Sequence, residues 1–270
     1  MFSAFLKSIF FIVRSNFSNK DKALLVWVSV KLLFKRIFIK NRQAAVKLFQ
    51  FNVKGADYAS FNYLFTEIFC SDDYYFKAAT NSPVIIDCGS NIGMATIYFK
   101  KLYPSAEIKC FEPDPAVYNL LESNISINKL ANVEAWNVAL FNEEKTLTFY
   151  TSDSSGILRG SINKDRGGVN EIHVKALRLS EFIKNIEHID LLKMDVEGAE
   201  IYIVEDLEKS GQLSKPNQYI IEYHHKINKE QISLSKFLDI FEKAGYSYSI
   251  KANFHKLKSF QDILIYAYKE

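Results

Sequence analysis

The sequence predicts an α/β fold: a doubly wound, mostly parallel sheet preceded by a helical extension. Three observations carry this expectation. Hydrophobic residues are 48% and charged residues 24% of the 270, the balance of a folded chain long enough to bury a full core. From residue 83 onward, short apolar runs alternate with helix-like stretches, the order that gives parallel strands joined by crossover helices. Three of those runs end on a carboxylate, namely Asp87, Glu112 and Asp195.

Residues 1–55 read as a basic, aromatic, helical extension. They hold eleven Lys and Arg against one acid, Asp21, for a net +10, while the other 23 basic and 30 acidic residues leave the remainder at −7. Such segregation points to an acidic contact: anionic lipid, an acidic partner or the chain's own acidic domain. The uncharged run at 8–13 is shorter than a secretory core, and the apolar run at 23–30 stops at Lys31. A membrane span needs about 20 apolar residues, so neither qualifies. The expected location is cytoplasmic, with any contact at the inner membrane face peripheral and made through residues 1–50. As a helix, residues 22–50 align Trp27, Val30, Phe34, Phe38, Ala45 and Phe49 on one stripe and Leu25, Val28, Leu32 and Ile39 on another. One face can pack on the domain and the other on a membrane surface or a partner. The plainer reading is a helical pair packed on the core, with Lys and Arg stems lying over apolar surface.

Residues 56–82 read as a helical lead-in, and 83–270 as the sheet domain. Strands are expected at 84–86, 108–111, 132–140, 173–177, 189–194, 218–223, 246–251 and 263–268, with a hairpin arm at 146–151. Helices are expected at 93–103, from Pro115 to about 128, after a Ser180 cap, and at 199–209 and 229–244. The polar, Gly-rich stretch 152–170 reads as a mobile loop. The last two strands have no helix between them, so one of them runs antiparallel. Three widely spaced cysteines, Cys70, Cys88 and Cys110, give neither a disulfide framework nor a zinc pattern and suit a reducing compartment.

The chemistry concentrates in four places. In VIIDCGSNIG (84–93) a buried strand runs into a glycine turn and a helix start, which offers free N–H groups and close main-chain approach to a ligand. Its G-x-x-x-G spacing is neither a dinucleotide fingerprint nor a phosphate-gripping loop. Asp87 beside the turn repels a pyrophosphate and suits a positively charged ligand. Glu112 ends the next strand, where an acid accepts hydrogen bonds from both ribose hydroxyls. In LLKMDVEGAE (191–200), Asp195 projects from the carboxyl edge of the sheet. Glu197 and Glu200 suit the dipole of the following helix, which needs no chemistry to explain them. In IIEYHH (220–225), Glu222 and His224 alternate toward one side and form an acid/base candidate.

DCGSNIG, FEPDP, LLKMDVEGAE and EYH, in that order over about residues 83–224, resemble the FkbM family of S-adenosylmethionine-dependent methyltransferases. Ser90 and Cys88 replace the usual Ala and Val. The resemblance implies a Rossmann-like domain with a seven-stranded sheet and transfer of a methyl group to a hydroxyl of a sugar, glycan or glycolipid precursor, or related natural product. By the same resemblance Asp87, Gly89, Ser90, Asn91 and Gly93 would hold the methionine end of the donor. Glu112 would hold the ribose, and Pro113, Asn137 and Ala139 would border the adenine. Asp195 would lie near the sulfonium and the acceptor, with Glu222 and His224 beyond it.

A sugar hydroxyl is a poor nucleophile, so a base or a metal must help remove its proton. The expected base is His224 or Glu222, with Asp195 orienting acceptor or base. No dedicated metal site is expected; a divalent ion held by Asp195 and Glu222 is the alternative. A non-catalytic scaffold that binds S-adenosylmethionine is a second reading. Nucleic acid is not an expected partner, because the domain is net acidic and lacks an N-P-P-Y or D-P-P-Y tetrapeptide.

Overall fold

Paired apolar residues on successive strands explain the central sheet. Ile85 and Ile86, Leu191 and Leu192, and Ile220 and Ile221 are all buried, and within each pair the two side chains enter different core clusters on opposite faces. The computed structural model describes residues 2–39, 42–151, 160–227, 233–253 and 260–270. The chain opens with α1 (Phe2–Arg14), α2 (Asn19–Phe38), β1 (Ala44–Leu48), β2 (Phe51–Gly55) and α3 (Tyr58–Phe65), which continues as a π-helical turn, Thr66–Cys70. The first half of the sheet domain is β3 (Val84–Cys88), α4 (Met94–Leu102), β4 (Glu107–Phe111), α5 (Pro115–Ile127) and β5 (Val133–Trp136). An inserted unit follows, made of β6 (Ala139–Leu140), β7 (Lys145–Thr151), β8 (Gly160–Ser161), α6 (Lys164–Gly167) and β9 (Asn170–Leu177). The chain closes with α7 (Leu179–Ile183), β10 (Ile189–Met194), α8 (Glu200–Lys209), β11 (Pro216–His225), α9 (Leu234–Lys243), β12 (Ser247–Lys251) and β13 (Gln261–Tyr268).

The main sheet has seven strands in the order β12-β13-β11-β10-β3-β4-β5. β11, β10, β3, β4 and β5 are mutually parallel, and β13 is the reversed strand expected of the closing pair. Helices α4 and α5 pack on one face, and α7, α8 and α9 on the other. The order reverses between β3 and β10, so the carboxyl ends of these two strands open the crevice where such sheets bind ligands. A second sheet, β6-β9-β7-β8, stands beside that crevice.

Several elements differ from expectation. The helix expected over 22–50 ends at Phe38, and Ala45 and Phe49 leave its stripe. Residues 44–55 form a hairpin instead, because Ala44, Leu48, Phe51 and Val53 bury themselves only with strand geometry. Asn124 of α5 and Asn128, the residue that ends it, bond the backbone of β2 at Lys54 and Asn52, fixing the hairpin on the domain. The run 132–140 is two strands in two sheets, split at Asn137. Ser180 lies inside α7 rather than capping it, with its N–H and Oγ both donating to Asp206. Of the loop expected at 152–170, residues 152–159 lie outside the described residues, and 160–170 carry β8 and α6. The three cysteines are free and buried.

Candidate active site

The turn after β3 needs glycine for a contact across the sheet. Gly89 has φ +79°, and a Cβ there would meet the Asp195 carbonyl oxygen at 1.8 Å. The Asp195 N–H donates to Cys88 O at 3.0 Å, so the ends of β3 and β10 are bound together. Lys193 strengthens the junction from below. Its Nζ donates to Gly89 O at 2.6 Å and lies 3.1 Å from Asp87 Oδ1, and both side chains are buried. Desolvation works against the Lys193 charge, but Asp87 and Asp195 outweigh it and keep the ammonium protonated.

Above this junction lies a cavity of about 180 Å³. Gly89, Ser90, Asn91, Glu112, Pro113 and Ala139 line it, as do Asp195 and Glu222. Asp87, Gly93, Asn137 and His224 are not among its lining residues. Asp87 sits under the floor, accepting from Thr96 Oγ1 at 3.1 Å and paired with Lys193. Asn137 braces the rim, donating through Nδ2 to Glu112 O and Pro113 O at 2.9 Å each. Glu112 accepts from the N–H groups of Asn91 and Asp114, each at 2.9 Å. Burial nonetheless pushes its carboxyl up to about 8, the two N–H groups offsetting only part of the desolvation.

The far end of the cavity holds a cluster of charges. His224 is fully buried, with Nδ1 2.6 Å from Glu200 Oε1 and Nε2 in ion-pair contact with Glu197 Oε2 at 3.1 Å. Asp195 and Asp262 carboxylates each lie 3.8 Å from the same Nε2. Burial pulls the His224 pKa down, but Glu200 and Glu197 overcome it and hold the ring as imidazolium. Burial likewise works against the Glu197 charge, yet His224 and Arg166 hold that carboxyl below its ordinary value. Arg166 Nε donates to Glu197 at 2.5 Å from α6, and Ser161 Oγ from β8 donates to the Glu197 carbonyl. Glu197 itself has φ +52°, a conformation costly for a residue with a side chain and held here from both sides.

By contrast, Glu222, Asp195 and Glu67 are carboxyls of raised pKa. Burial lifts each, and their mutual repulsion adds to the rise at Glu222 and Glu67, the latter reaching about 8. A second cavity, of about 310 Å³, shares Glu67, Tyr74, Glu222 and Asp262 with the first and extends to Asp73 and Lys251. Asp195, Glu197 and His224, and also Glu222, His224 and Asp262, are close enough to share an ion, with His224 common to both sets.

Glu67, Tyr74 and Arg166 carry no local motif, and only folding brings them here. Lys193 has a signal, as a charge set between Leu192 and Met194 in a strand whose residues are all buried. Glu200 answers His224 across the core rather than serving only the helix dipole.

The profile of the Methyltransferase FkbM domain matches residues 87–248. The chain belongs to the FkbM methyltransferase family. Among relatives of this FkbM protein, Methyltransferase 1 of Beauveria bassiana is 30% identical over 166 residues, 54% of this chain and 67% of that one. The 2-O-methyltransferase NoeI of Sinorhizobium fredii is 29% identical over 175 residues, 58% of this chain and 70% of that one. The crystal structure of an FkbM methyltransferase from Methylobacillus flagellatus superposes with a TM-score of 0.51 at 14% identity. That match covers 78% of this chain, which spans about half (53%) of the solved one. The cleft fits the family's donor, S-adenosylmethionine: a buried acid for ribose hydroxyls, apolar walls at Phe111, Val138 and Leu140 for a purine, and Asp195 for a cation.

Proposed function

We propose that this methyltransferase moves the methyl group of S-adenosylmethionine to a hydroxyl of a sugar or glycan acceptor. The observation that carries the reading is the shared wall of Glu67, Tyr74, Glu222 and Asp262 between the two cavities. Carboxylates and an aromatic ring on one wall suit a sugar, whose hydroxyls donate to carboxylates and whose C–H face lies on a ring. The match to a 2-O-methyltransferase supports oxygen as the acceptor atom.

When bound, the donor supplies an electrophilic methyl on a sulfonium, ready for in-line displacement. Gly89, Ser90 and Asn91 hold its methionine end through the turn, at the start of the helix that follows Gly93. Asp87 acts on that turn through Lys193. Glu112 holds the ribose, and Pro113 and Ala139 border the adenine, braced by Asn137. Asp195 faces the sulfonium and orients the acceptor. Glu222 takes the hydroxyl proton on a carboxylate oxygen, since it lines the cavity and burial beside Asp195 and Glu67 raises its proton affinity above that of an ordinary carboxylate. His224, an imidazolium outside the cavity lining, positions Asp195 and Glu197 and is a poor base.

Incubation with methyl-labelled donor and a panel of free and lipid-linked oligosaccharides tests the proposal. Label should appear in a base-stable methyl ether on a sugar. Label released by mild base, as from a methyl ester, or found only on nucleic acid, overturns it.

A further inference from the structure

We propose that the outward face of α1 and α2 docks on an anionic lipid bilayer. The two helices turn Ile12, Leu25, Val28 and Leu32 into one core cluster, so their opposite faces lie on the same side of the protein. On α1 that face carries Leu6, Phe10 and Val13, and on α2 it carries Trp27, Phe34 and Phe38. These side chains stand largely open to solvent: Val13 is 65% exposed, Trp27 58% and Phe38 76%. Isolated exposed apolar residues are ordinary, but six on two neighbouring helices form a patch of the kind that marks a contact surface.

Charge decides what it contacts. Exposed Lys7, Arg14, Lys20 and Lys31 are interleaved with the aromatic rings. The Arg14 guanidinium lies 4.1 Å from the Phe10 ring centroid, and the Lys31 ammonium 5.0 Å from that of Trp27. Asp21, the single acid of residues 1–55, is already paired with Lys101 at 3.1 Å. The face therefore presents apolar side chains and uncompensated cations together. The centre of a protein–protein interface is depleted in lysine. An interfacial helix needs this mixture, with apolar side chains for the acyl boundary, tryptophan at the headgroup level and cations for lipid phosphates. No described helix is long and apolar enough to cross a membrane, so the helices lie along the surface. α2 packs on α3, whose Tyr63 lines the first cavity, so the docked face is one helix away from the rim of the cleft.

Sedimentation of the full chain with phosphatidylcholine vesicles, with and without phosphatidylglycerol, tests this. The protein should sediment with the anionic vesicles only, and less as salt is added. Replacing Trp27, Phe34 and Phe38 together by Ser should lower the partition by about tenfold or more. So should Lys7→Glu with Lys31→Glu. Both variants should keep the wild-type melting temperature and affinity for S-adenosylhomocysteine, because these side chains touch neither core nor cleft. No sedimentation of the wild type, equal sedimentation of the variants, or a wild-type dimer that the Ser variant turns into a monomer would each overturn the proposal.

Discussion

Lys193 donates to the Gly89 carbonyl at 2.6 Å, from the middle of a strand in which every residue is buried. The charge is there because Asp87 is buried beneath the same turn, 3.1 Å away. Removing one partner of such a pair leaves the other charged and dry. Lys193→Met should lower stability by roughly 3–5 kcal/mol, read as a fall in urea midpoint. Adding Asp87→Asn should recover part of that loss, and simple addition of the two penalties would refute the coupling.

Glu112 makes donor binding depend on pH. Its carboxyl is raised to about 8 by burial, whereas ribose hydroxyls donate to the ionised form. Binding therefore expels a proton, and affinity for S-adenosylhomocysteine should rise between pH 6 and pH 8.5 and level off above. Calorimetry in buffers of different ionisation heat reads the released proton. In Glu112→Gln the affinity should be weaker and the pH slope absent.

Glu222→Gln should reduce kcat by about 10²- to 10⁴-fold, the usual contribution of a positioned base. Donor affinity should stay close to wild type, since the change spares the first turn and Glu112. Glu200→Gln should act differently, because Glu200 touches His224 and not the cavity. It should lower kcat less, and it should move the pH–rate profile through the loss of the imidazolium charge beside Asp195. Identical profiles for Glu200→Gln and wild type would remove His224 from the account.

Stability and activity should change in opposite directions with pH. Glu67 and Glu112 ionise near 8 in the folded protein but near their ordinary 4.5 when unfolded. The folded state therefore keeps protons that the unfolded chain has lost, and stability falls as pH rises from about 4.5 to about 8. His224, whose folded pKa is raised, adds to the loss, since its stabilisation is complete below about 6.5 and disappears on deprotonation. Turnover should rise with pH as the Glu222 carboxyl, held above its ordinary range by burial and acidic neighbours, ionises. Melting temperature and initial rate, measured on one set of buffers, check both directions.

Chelators should leave turnover unchanged. The carboxylates around His224 Nε2 already face three cations: the imidazolium, Arg166 and Lys193. Loss of activity in EDTA, restored by magnesium, would place an ion in the Asp195, Glu197 and His224 set instead.

Much of the site is legible in the sequence because a parallel sheet turns sequence order into position. Asp195, Glu112 and Glu222 end or follow buried runs, so they fall at one edge of the sheet. His224 follows the same rule, but its burial and its two glutamate partners depend on how α8 and the turn before it pack on β11, which no local pattern encodes. Glu67 and Tyr74 come from the lead-in and Arg166 from the inserted unit, and neither segment carries a motif pointing at the cleft. The hairpin at 44–55 escaped because Ala45 and Phe49 continue the helical stripe of α2, and only the burial of Ala44, Leu48, Phe51 and Val53 breaks the tie.

The most direct measurement is calorimetric titration of S-adenosylhomocysteine into wild-type protein and Glu112→Ala, with a nucleoside diphosphate as the comparison ligand. The account requires saturable heat with S-adenosylhomocysteine, strongly weakened in Glu112→Ala, and none with the diphosphate. Heat with the diphosphate alone would mean that the turn after β3 grips phosphate, and the reading of this cleft would be wrong.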